Sequence, residues 1–332
     1  MEIGTSALSL SLSTPLTLQN SGRLIVSLTV FVCVNFIQTG LLQKTIGKCI
    51  EKSGIGLHSG KLTTVKIWPE VARKGRYFDV SSNTIQASID FVQQESPLCT
   101  TLSKDGFAVR TVEHLLSALE ASGVDNCRIE ITPSDPHERT VEVPILDGSA
   151  REWVEAIEHA GLEDATDENG DSCEKMAPFV EEPVHVRRND SFVAAFPSTE
   201  IHFTCGINFR KVPPIGCQWF FSHPFNRSFY ATEIASSRTF CVYEEVEQMR
   251  DMGLIKGGSL ENAIVCSASE GWLNPPLRFH DEPCRHKVLD LIGDLSMLAR
   301  PGSQGLPVAH FVAYKAGHAL HADLVRCLAT IG

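Results

Sequence analysis

One stretch near the C-terminal end constrains the fold most, because it predicts a buried helix that carries a polar stripe. It runs from Arg285 to Leu295 and reads RHKVLDLIGDL. His286, Asp290 and Asp294 are spaced by four residues, so each lies only ~40° further round a helix than the one before. The other positions are mostly apolar, which is typical of a core helix whose polar stripe faces a group that needs it.

A metal ion is one such group, since an imidazole and a carboxylate four residues apart on a helix can both reach one ion. The alternative is a solvent-exposed stripe, with Arg285 and Lys287 as cations at the helix end. An isolated His-x-x-x-Asp pattern favours this second interpretation. A third ligand elsewhere in the chain is needed to overturn it.

A second helix start supplies that candidate. The segment from Thr111 to Leu119 reads TVEHLLSAL, in which we expect Thr111 to cap the helix. Glu113 falls in the first turn, where the helix dipole favours a carboxylate. The helix is otherwise apolar, so the Glu-His pair is buried or lines a cleft. Glu113 and His114 are therefore the candidate general base and third metal ligand.

Composition indicates a globular protein. The 332 residues are 43% hydrophobic, which is enough for a sizeable core and two domains. The net charge of -11 argues against a nucleic-acid partner, because neutralising phosphates requires a basic surface. The eleven cysteines form no CxxC pair, so we interpret them as reduced packing residues. Nothing in the sequence implies a protein partner.

Residues 1–40 differ from the rest of the chain and predict a targeting segment. They are rich in Ser, Thr and Leu, and the apolar run from Leu24 to Ile37 is shorter than the ~20 residues of a membrane span. We therefore expect no stable membrane span in the mature protein. The Ser-rich, acid-poor composition is typical of an organelle transit peptide, for which we expect the mitochondrion, with the chloroplast as alternative. A secretory signal is the rival, against which the unpaired cysteines count.

The order of elements predicts a duplicated α+β module whose helices pack on one face of a mostly antiparallel sheet. An acidic stretch with Asn169-Gly170 separates the halves, as a linker would. We place domain I at 43–165, the linker at 166–177 and domain II at 178–332. The expected elements are helix 113–120, strand 127–132 and helix 150–160, followed by helix 286–299, strand 310–315 and helix 318–330.

His114, His286 and Asp290 would leave one coordination position of a metal free, which suits catalytic zinc. Zinc lowers the pKa of bound water towards ~7, and Glu113 can accept the proton as the water attacks a carbonyl. The same ligands suit Fe(II) and oxygen chemistry, so an iron oxygenase stays open.

Four other residues complete this hypothesis. Thr239 can donate to an oxyanion, and Lys287 and Lys315 can bind an anionic part of a substrate. His318 lies at a helix N-terminus, where the dipole lowers the pKa of an imidazolium unless a carboxylate holds the proton. It is either the proton donor to a leaving amine or a structural cap.

Six segments together resemble the motifs of the UDP-3-O-acyl-N-acetylglucosamine deacetylases, zinc enzymes of lipid A biosynthesis. They are residues 111–119, 145–150, 237–240, 257–265, 278–295 and 313–320. The resemblance covers Gln43 to Gly332. It implies hydrolysis of the N-acetyl group of a UDP-linked, 3-O-acylated glucosamine. A non-catalytic lipid or sugar-nucleotide binder is the third alternative, and a carboxylate beside a metal ligand, such as Glu113, favours hydrolysis over both others.

The resemblance also implies a role for each candidate residue. The implied roles are zinc binding for His114, His286 and Asp290, general base for Glu113, general acid for His318, oxyanion contact for Thr239, substrate binding for Phe240, Lys287 and Lys315, and pairing with His318 for Asp294.

The family fold implied by the resemblance has two tandem βααβ-type domains whose helices are sandwiched between two sheets. An insert in domain II, here about 241–273, forms an apolar passage for the acyl chain. The residues expected to line it are Val242, Met249, Met252, Leu254 and Leu260. The N-terminal forty residues depart from bacterial members and indicate an organelle-targeted, plant-like member.

Overall fold

The computed structural model describes residues 34–93, 98–135 and 137–329. Most of the predicted targeting segment, residues 1–33, therefore lies outside the described residues. None of the helices in the described ranges combines the length and the hydropathy that a membrane crossing requires.

The regular elements are as follows. The strands are β1 (Val34–Leu42), β2 (Lys44–Ile46), β3 (Ile50–Ile55), β4 (Leu62–Pro69), β5 (Arg76–Val80), β6 (Asn83–Gln86), β7 (Thr101–Lys104), β8 (Phe107–Arg110), β9 (Cys127–Pro133), β10 (Thr140–Glu142), β11 (Leu162–Asp164), β12 (Glu174–Val180), β13 (Val184–Arg188), β14 (Ser191–Pro197), β15 (His202–Phe209), β16 (Gly216–Phe221), β17 (Phe240–Val242), β18 (Ile264–Ser267), β19 (Gly271–Trp272) and β20 (Ala309–Tyr314). The helices are α1 (Glu113–Ser122), α2 (Arg151–Ala160), α3 (Arg227–Phe229), α4 (Tyr243–Asp251), α5 (Glu282–Leu295) and α6 (His318–Ala329).

Two five-stranded sheets share one topology. The first has the order β3-β4-β9-β5-β6 and the second the order β13-β14-β20-β15-β16. In each sheet the central strand, β9 or β20, is antiparallel to one neighbour and parallel to the other. Each central strand follows one helix and precedes another, α1 and α2 in the first half and α5 and α6 in the second. This confirms the predicted α+β duplication with mostly antiparallel sheets.

The helices lie between the two sheets, and α1 packs against α5 at the centre. Their sequences explain this position, because nearly every residue of both helices is buried. The predicted helix 113–120 is confirmed as α1, and Gly123 caps it in the left-handed conformation that favours glycine. The predicted helix 286–299 is also present, but α5 begins four residues earlier and ends at Leu295. The candidate ligands thus lie on two helices in direct contact.

The predicted capping role of Thr111 is wrong. The residue at the start of α1 is Val112, without a side-chain cap, and Thr111 has a φ of 57°. Its hydroxyl donates instead to Glu142 Oε1 at 2.8 Å. Glu142 is buried and also accepts the main-chain N–H groups of His58 and Ser59. A buried carboxylate requires several hydrogen-bond donors, and the hydroxyl of Thr111 is one of those that Glu142 has.

Strand β1 is antiparallel to β12. Residues 34–40 of the predicted targeting segment therefore form part of a sheet, and β12 begins within the predicted linker 166–177. The predicted insert contains α4, β18 and β19, and β18 lies between β17 and β19 in a three-stranded sheet. The division into domains at 43–165 and 178–332 stays a prediction.

Candidate active site

The three candidate ligands meet in the interior, where α1 faces α5. His114 Nε2 lies 3.7 Å and His286 Nε2 lies 3.3 Å from Asp290 Oδ1. One ligand atom from each residue lies within 4.8 Å of the others, and all three residues are buried. Two helices of different halves thus supply one donor set.

The hydrogen bonds around these residues leave the facing atoms available to a cation. His286 Nδ1 donates to the main-chain oxygen of Ser237 at 3.0 Å, so the lone pair of its neutral ring is on Nε2. Asp290 Oδ2 accepts from Lys287 Nζ at 2.8 Å. Asp290 Oδ1 is buried and has no hydrogen-bond partner among the described residues. A buried carboxylate oxygen without a donor, beside two imidazoles, fits a metal centre.

The electrostatics favour the protonation states that metal binding requires. Burial and the neighbouring His286 lower the pKa of His114 to about 3, and burial also lowers the pKa of His286. Burial alone would raise the pKa of Asp290, but His286 and Lys287 hold it well below its ordinary value. Neutral imidazoles and an ionised carboxylate are the forms that bind a metal.

Glu113 lies directly before the candidate ligand His114 at the start of α1. It is 3% exposed, and its Oε2 accepts the N–H of Thr100 at 3.0 Å. Its Oε1 lies 3.8 Å from His318 Nε2. Burial raises the pKa of Glu113 well above its ordinary value, against the effect of His318. A carboxylate with a raised pKa beside the candidate ligands is suited to accept a proton.

His318 is the first residue of α6, as predicted, and Asp294 holds it. His318 Nδ1 lies 2.8 Å from Asp294 Oδ2. Burial lowers the pKa of His318, but Asp294 and Glu113 outweigh burial and raise it to about 10. His318 in turn lowers the pKa of Asp294 to about 2, although burial opposes this. His318 is therefore an imidazolium at neutral pH despite the helix dipole.

Sequence reasoning missed two residues of this cluster. Thr100 donates through Oγ1 to Asp294 Oδ1 at 2.5 Å, in addition to its bond with Glu113. His321 Nδ1 donates to Asp294 Oδ2 at 2.8 Å, the same oxygen that His318 uses. The three-residue spacing of the two histidines on α6 is a signal that could have identified His321. Thr100 has no local signal, because only tertiary structure brings it to α5.

A cavity of about 490 Å³ is lined by Lys287, Thr239 and Phe240 together with residues of the predicted insert. Lys287 Nζ lies 5.7 Å from the centre of the Phe240 ring, within range of a cation–π contact. Apolar residues dominate the rest of the lining, among them Val242, Met249, Leu260, Val265 and Leu273. The cavity therefore combines polar groups close to the candidate ligands with a mainly apolar lining.

Two of the five expected passage residues lie outside the cavity. Met252 and Leu254 do not line the cavity, because α4 ends at Asp251 and Met252 turns outward with 60% of its surface exposed. His58, which was not among the expected passage residues, does line it. His58 is 1% exposed, and its Nε2 has no hydrogen-bond partner among the described residues.

Lys315 stands apart from the other candidates. Its side chain is exposed and pairs with Asp190. Its main-chain N–H donates to the oxygen of Gly206 at the end of the second sheet. The structure does not bring Lys315 into the cavity, and its role in substrate binding stays a prediction.

Comparison with known proteins agrees with this geometry. Residues 43–330 match the family model described as LpxC: UDP-3-O-acyl N-acetylglycosamine deacetylase. The "Probable UDP-3-O-acyl-N-acetylglucosamine deacetylase 1, mitochondrial" of Arabidopsis thaliana is 62% identical over 89% of this chain and 90% of its own length. The UDP-3-O-acyl-N-acetylglucosamine deacetylase of Trichormus variabilis is 47% identical over 86% of this chain and 97% of its own length. The enzyme of the same name from Thermosynechococcus vestitus is 45% identical over 86% of this chain and 94% of its own length.

Proposed function

The chain belongs to the UDP-3-O-acyl N-acetylglycosamine deacetylase family, and from that premise we propose that it is a zinc-dependent hydrolase of UDP-3-O-acyl-N-acetylglucosamine. Its products are acetate and UDP-3-O-acyl-glucosamine, in a pathway of the lipid A type. One observation carries the proposal. A buried carboxylate, Glu113, and an imidazolium, His318, lie 3.8 Å apart beside a His-His-Asp group.

His114, His286 and Asp290 would hold the zinc ion. When bound, zinc supplies Lewis-acid polarisation of the substrate carbonyl and lowers the pKa of a water molecule towards ~7. The donor set of two nitrogens and one carboxylate oxygen matches that of catalytic zinc sites. Lys287 keeps Asp290 ionised and oriented through its bond to Oδ2, which leaves Oδ1 for the ion.

Glu113 Oε1 accepts a proton from the attacking water. The N–H of Thr100 fixes its Oε2, so Oε1 is the oxygen that faces the reaction space and His318. Burial raises the pKa of Glu113 and so makes it a stronger base than an exposed glutamate.

His318 donates a proton from Nε2 to the leaving amine nitrogen. Its Nδ1 is held by Asp294, so Nε2 is the N–H that faces Glu113 and the substrate. The raised pKa keeps this proton in place until the C–N bond breaks. The proton taken up by Glu113 then returns His318 to its imidazolium form, since the two groups lie 3.8 Å apart. One water molecule thus supplies an oxygen atom to the acetate and a hydrogen atom to the amine, and no other reactant is needed.

The cavity positions the substrate. Thr239 lies at its polar end, where its hydroxyl can donate to the oxyanion, and Lys287 and Phe240 lie beside it to bind the sugar nucleotide. The apolar channel beyond them takes the 3-O-acyl chain, which removes hydrocarbon from water.

An Fe(II) oxygenase would use the same ligands, and a non-catalytic binder would need none of the proton-handling groups. The buried pair of Glu113 and His318 favours hydrolysis over both, because neither alternative requires a base and an acid 3.8 Å apart.

The test joins metal analysis with acetate release from the UDP-3-O-acyl-N-acetylglucosamine substrate. We expect the purified chain to contain zinc and to release acetate and the free amine in equal amounts. The Glu113→Gln variant is the matched control, since it keeps the shape of the site and lacks the base. Substrate binding without acetate release would support the non-catalytic binder instead.

The mitochondrion is the proposed location, directed by a transit peptide within about residues 1–40. The relatives from Arabidopsis thaliana carry the word mitochondrial in their names, which supports this assignment. The chloroplast is the alternative. A fusion of residues 1–40 to a fluorescent protein, imaged in plant cells, should co-localise with mitochondria, and a chloroplast signal would refute the proposal.

A further inference from the structure

The polar stripe of α5 has a fourth member that the proposed mechanism does not use. Glu282 is the first residue of α5 and continues the spacing of four residues shared by His286, Asp290 and Asp294. Its exposed fraction is 0%. Burial of a charged carboxylate is unfavourable unless donors surround it, so the groups that bind Glu282 indicate its purpose.

Glu282 binds the segment 236–239, which directly precedes β17. Its Oε1 accepts the main-chain N–H of Arg238 at 3.0 Å and the Nε of the same residue at 2.8 Å. Its Oε2 accepts Arg238 Nη2 at 3.2 Å and the main-chain N–H of Arg278 at 2.6 Å. Because the carboxylate binds both the guanidinium and the main chain of Arg238, it fixes the backbone of the segment as well as one side chain.

Both neighbours of Arg238 in the chain contribute to the candidate site. The main-chain oxygen of Ser237 accepts His286 Nδ1 at 3.0 Å, and a bond of this kind fixes the tautomer and the ring orientation of a metal-binding histidine. Thr239, the candidate oxyanion donor, lines the cavity together with Lys287. The buried carboxylate therefore holds the one residue that lies between these two groups.

Arg278 secures the same segment at both of its ends. Its Nη1 donates to the main-chain oxygen of Ser236 at 2.8 Å, and its side chain also pairs with Asp147 at 2.9 Å. The main-chain oxygen of Gly148, the residue after Asp147, accepts the N–H of Thr239 at 2.7 Å. These contacts leave the segment little freedom to shift.

We infer that Glu282 is a positioning residue of the proposed deacetylase. By holding the segment 236–239, it orients the ring of His286 and places the hydroxyl of Thr239. A buried ion pair is by itself a poor source of stability, because lost hydration offsets the attraction between the charges. The inference rests on the proposed function, since these two positions matter only if zinc binds and an oxyanion forms.

The Glu282→Gln variant tests the inference because it preserves the shape of the side chain. A glutamine amide has one acceptor oxygen and one NH₂ group, so it cannot accept the donors on both sides. We expect zinc affinity, measured on the full chain by competition with a chelator, to fall by at least ~10-fold. At saturating zinc, kcat should fall by roughly 10²-fold with little change in KM, because the oxyanion contact forms only in the transition state.

The Glu120→Gln variant is the matched control for a merely structural role. The side chain of Glu120 is 4% exposed, pairs with Arg76 at 2.6 Å and accepts the main-chain N–H groups of Gly305 and Leu306. None of these partners belongs to the candidate site. The control should lower the melting temperature about as much as Glu282→Gln and leave zinc affinity and kcat unchanged. Equal losses of zinc affinity and kcat in both variants would overturn the inference.

A double-mutant cycle with Thr239→Val shows whether Glu282 acts through the threonine hydroxyl. In the Thr239→Val background, Glu282→Gln should still weaken zinc binding, but it should lower kcat at saturating zinc by less than about 3-fold more. Fully additive losses of kcat would overturn the inference. If Glu282→Gln does not fold, Arg238→Lys replaces it, because lysine keeps the charge and lacks the fork that binds two carboxylate oxygens.

The unaltered chain separates failure of this inference from failure of the proposed function. An unaltered chain that binds no zinc and releases no acetate would refute the proposed function. An unaltered chain with normal zinc binding and acetate release, beside a folded Glu282→Gln or Arg238→Lys variant that matches it in zinc affinity and kcat, would refute only the positioning role.

Discussion

A Cβ atom added to Gly293 would lie 2.1 Å from the main-chain oxygen of Glu113. Helix α5 therefore touches α1 backbone to backbone at the candidate base. Real Cβ atoms do not approach an oxygen so closely, so only glycine permits this crossing. The contact explains how His114, next to Glu113, comes within 3.7 Å of Asp290 on the other helix.

The first prediction follows from this contact. Gly293→Ala should force α1 and α5 apart, lower the free energy of unfolding by about 1–3 kcal/mol and reduce activity more than stability alone explains. Gly317→Ala is the control for thermal unfolding, because a Cβ at Gly317 meets nothing within 4 Å. Equal melting temperatures for the two variants would show that the helices tolerate the extra atom.

The second prediction concerns the metal ligands. Each of the variants His114→Ala, His286→Ala and Asp290→Ala should bind zinc more than ~100-fold more weakly and lose activity together with the ion. A catalytic zinc site keeps one coordination position open and has only three protein ligands, so each substitution would leave two. Elemental analysis after dialysis measures this. Asp294→Asn is the control and should keep its zinc, since Asp294 pairs with histidines outside the ligand set. Full zinc content in the three alanine variants would refute the assignment.

The third prediction separates the base from the ligands. Glu113→Gln should keep the zinc content and lower kcat by roughly 10²–10⁴, because it removes the proton acceptor and preserves shape. Steady-state kinetics beside elemental analysis measures both quantities. A variant with normal kcat would place the base elsewhere.

The fourth prediction is a bell-shaped dependence of kcat on pH. Activity should fall at low pH as Glu113, whose pKa is raised, takes up a proton, and at high pH as His318, with a pKa of about 10, loses one. Asp294→Asn removes a negative charge that raises the pKa of His318, so the alkaline limb should move to lower pH. His318→Gln should lower kcat and abolish that limb. An alkaline limb that stays in place in both variants would leave His318 as a helix cap only.

The fifth prediction concerns the channel. Ala263 lines the cavity and is 7% exposed, so Ala263→Trp should fill it and lower kcat/KM for a long-chain acyl substrate by at least ~10-fold. A substrate with a short acyl chain should be affected less. Met252→Trp, at an exposed position outside the cavity, is the matched control. Equal losses for both chain lengths would mean that the acyl group binds elsewhere.

The sequence was sufficient to predict the helices that form the centre of the molecule. The stretch from Arg285 to Leu295 combines a polar stripe with apolar residues, and local periodicity of this kind does not depend on distant contacts. The position of β1 was not predictable in the same way, because its pairing with β12 joins residues far apart in sequence. Thr111 shows the same limit, since its capping preference gave way to the buried carboxylate of Glu142.

The same distinction holds for the candidate site. The structure brings Glu113, His114 and His318 to α5, and each carried a local signal of residue type and helix position. Thr100 carried none, because a threonine before a strand is common and only its contact with Asp294 gives it significance. The pairing of Lys315 with Asp190 likewise arises from the folded surface and not from any pattern along the chain.

The duplicated backbone is symmetric, but its chemistry is divided unequally between the copies. The first copy supplies His114, and the second supplies His286 and Asp290. A ligand that binds only the joined state stabilises that state, so an ion held by these three residues would stabilise the contact between the two copies. Neither copy alone contains the complete candidate donor set, so metal binding would require both.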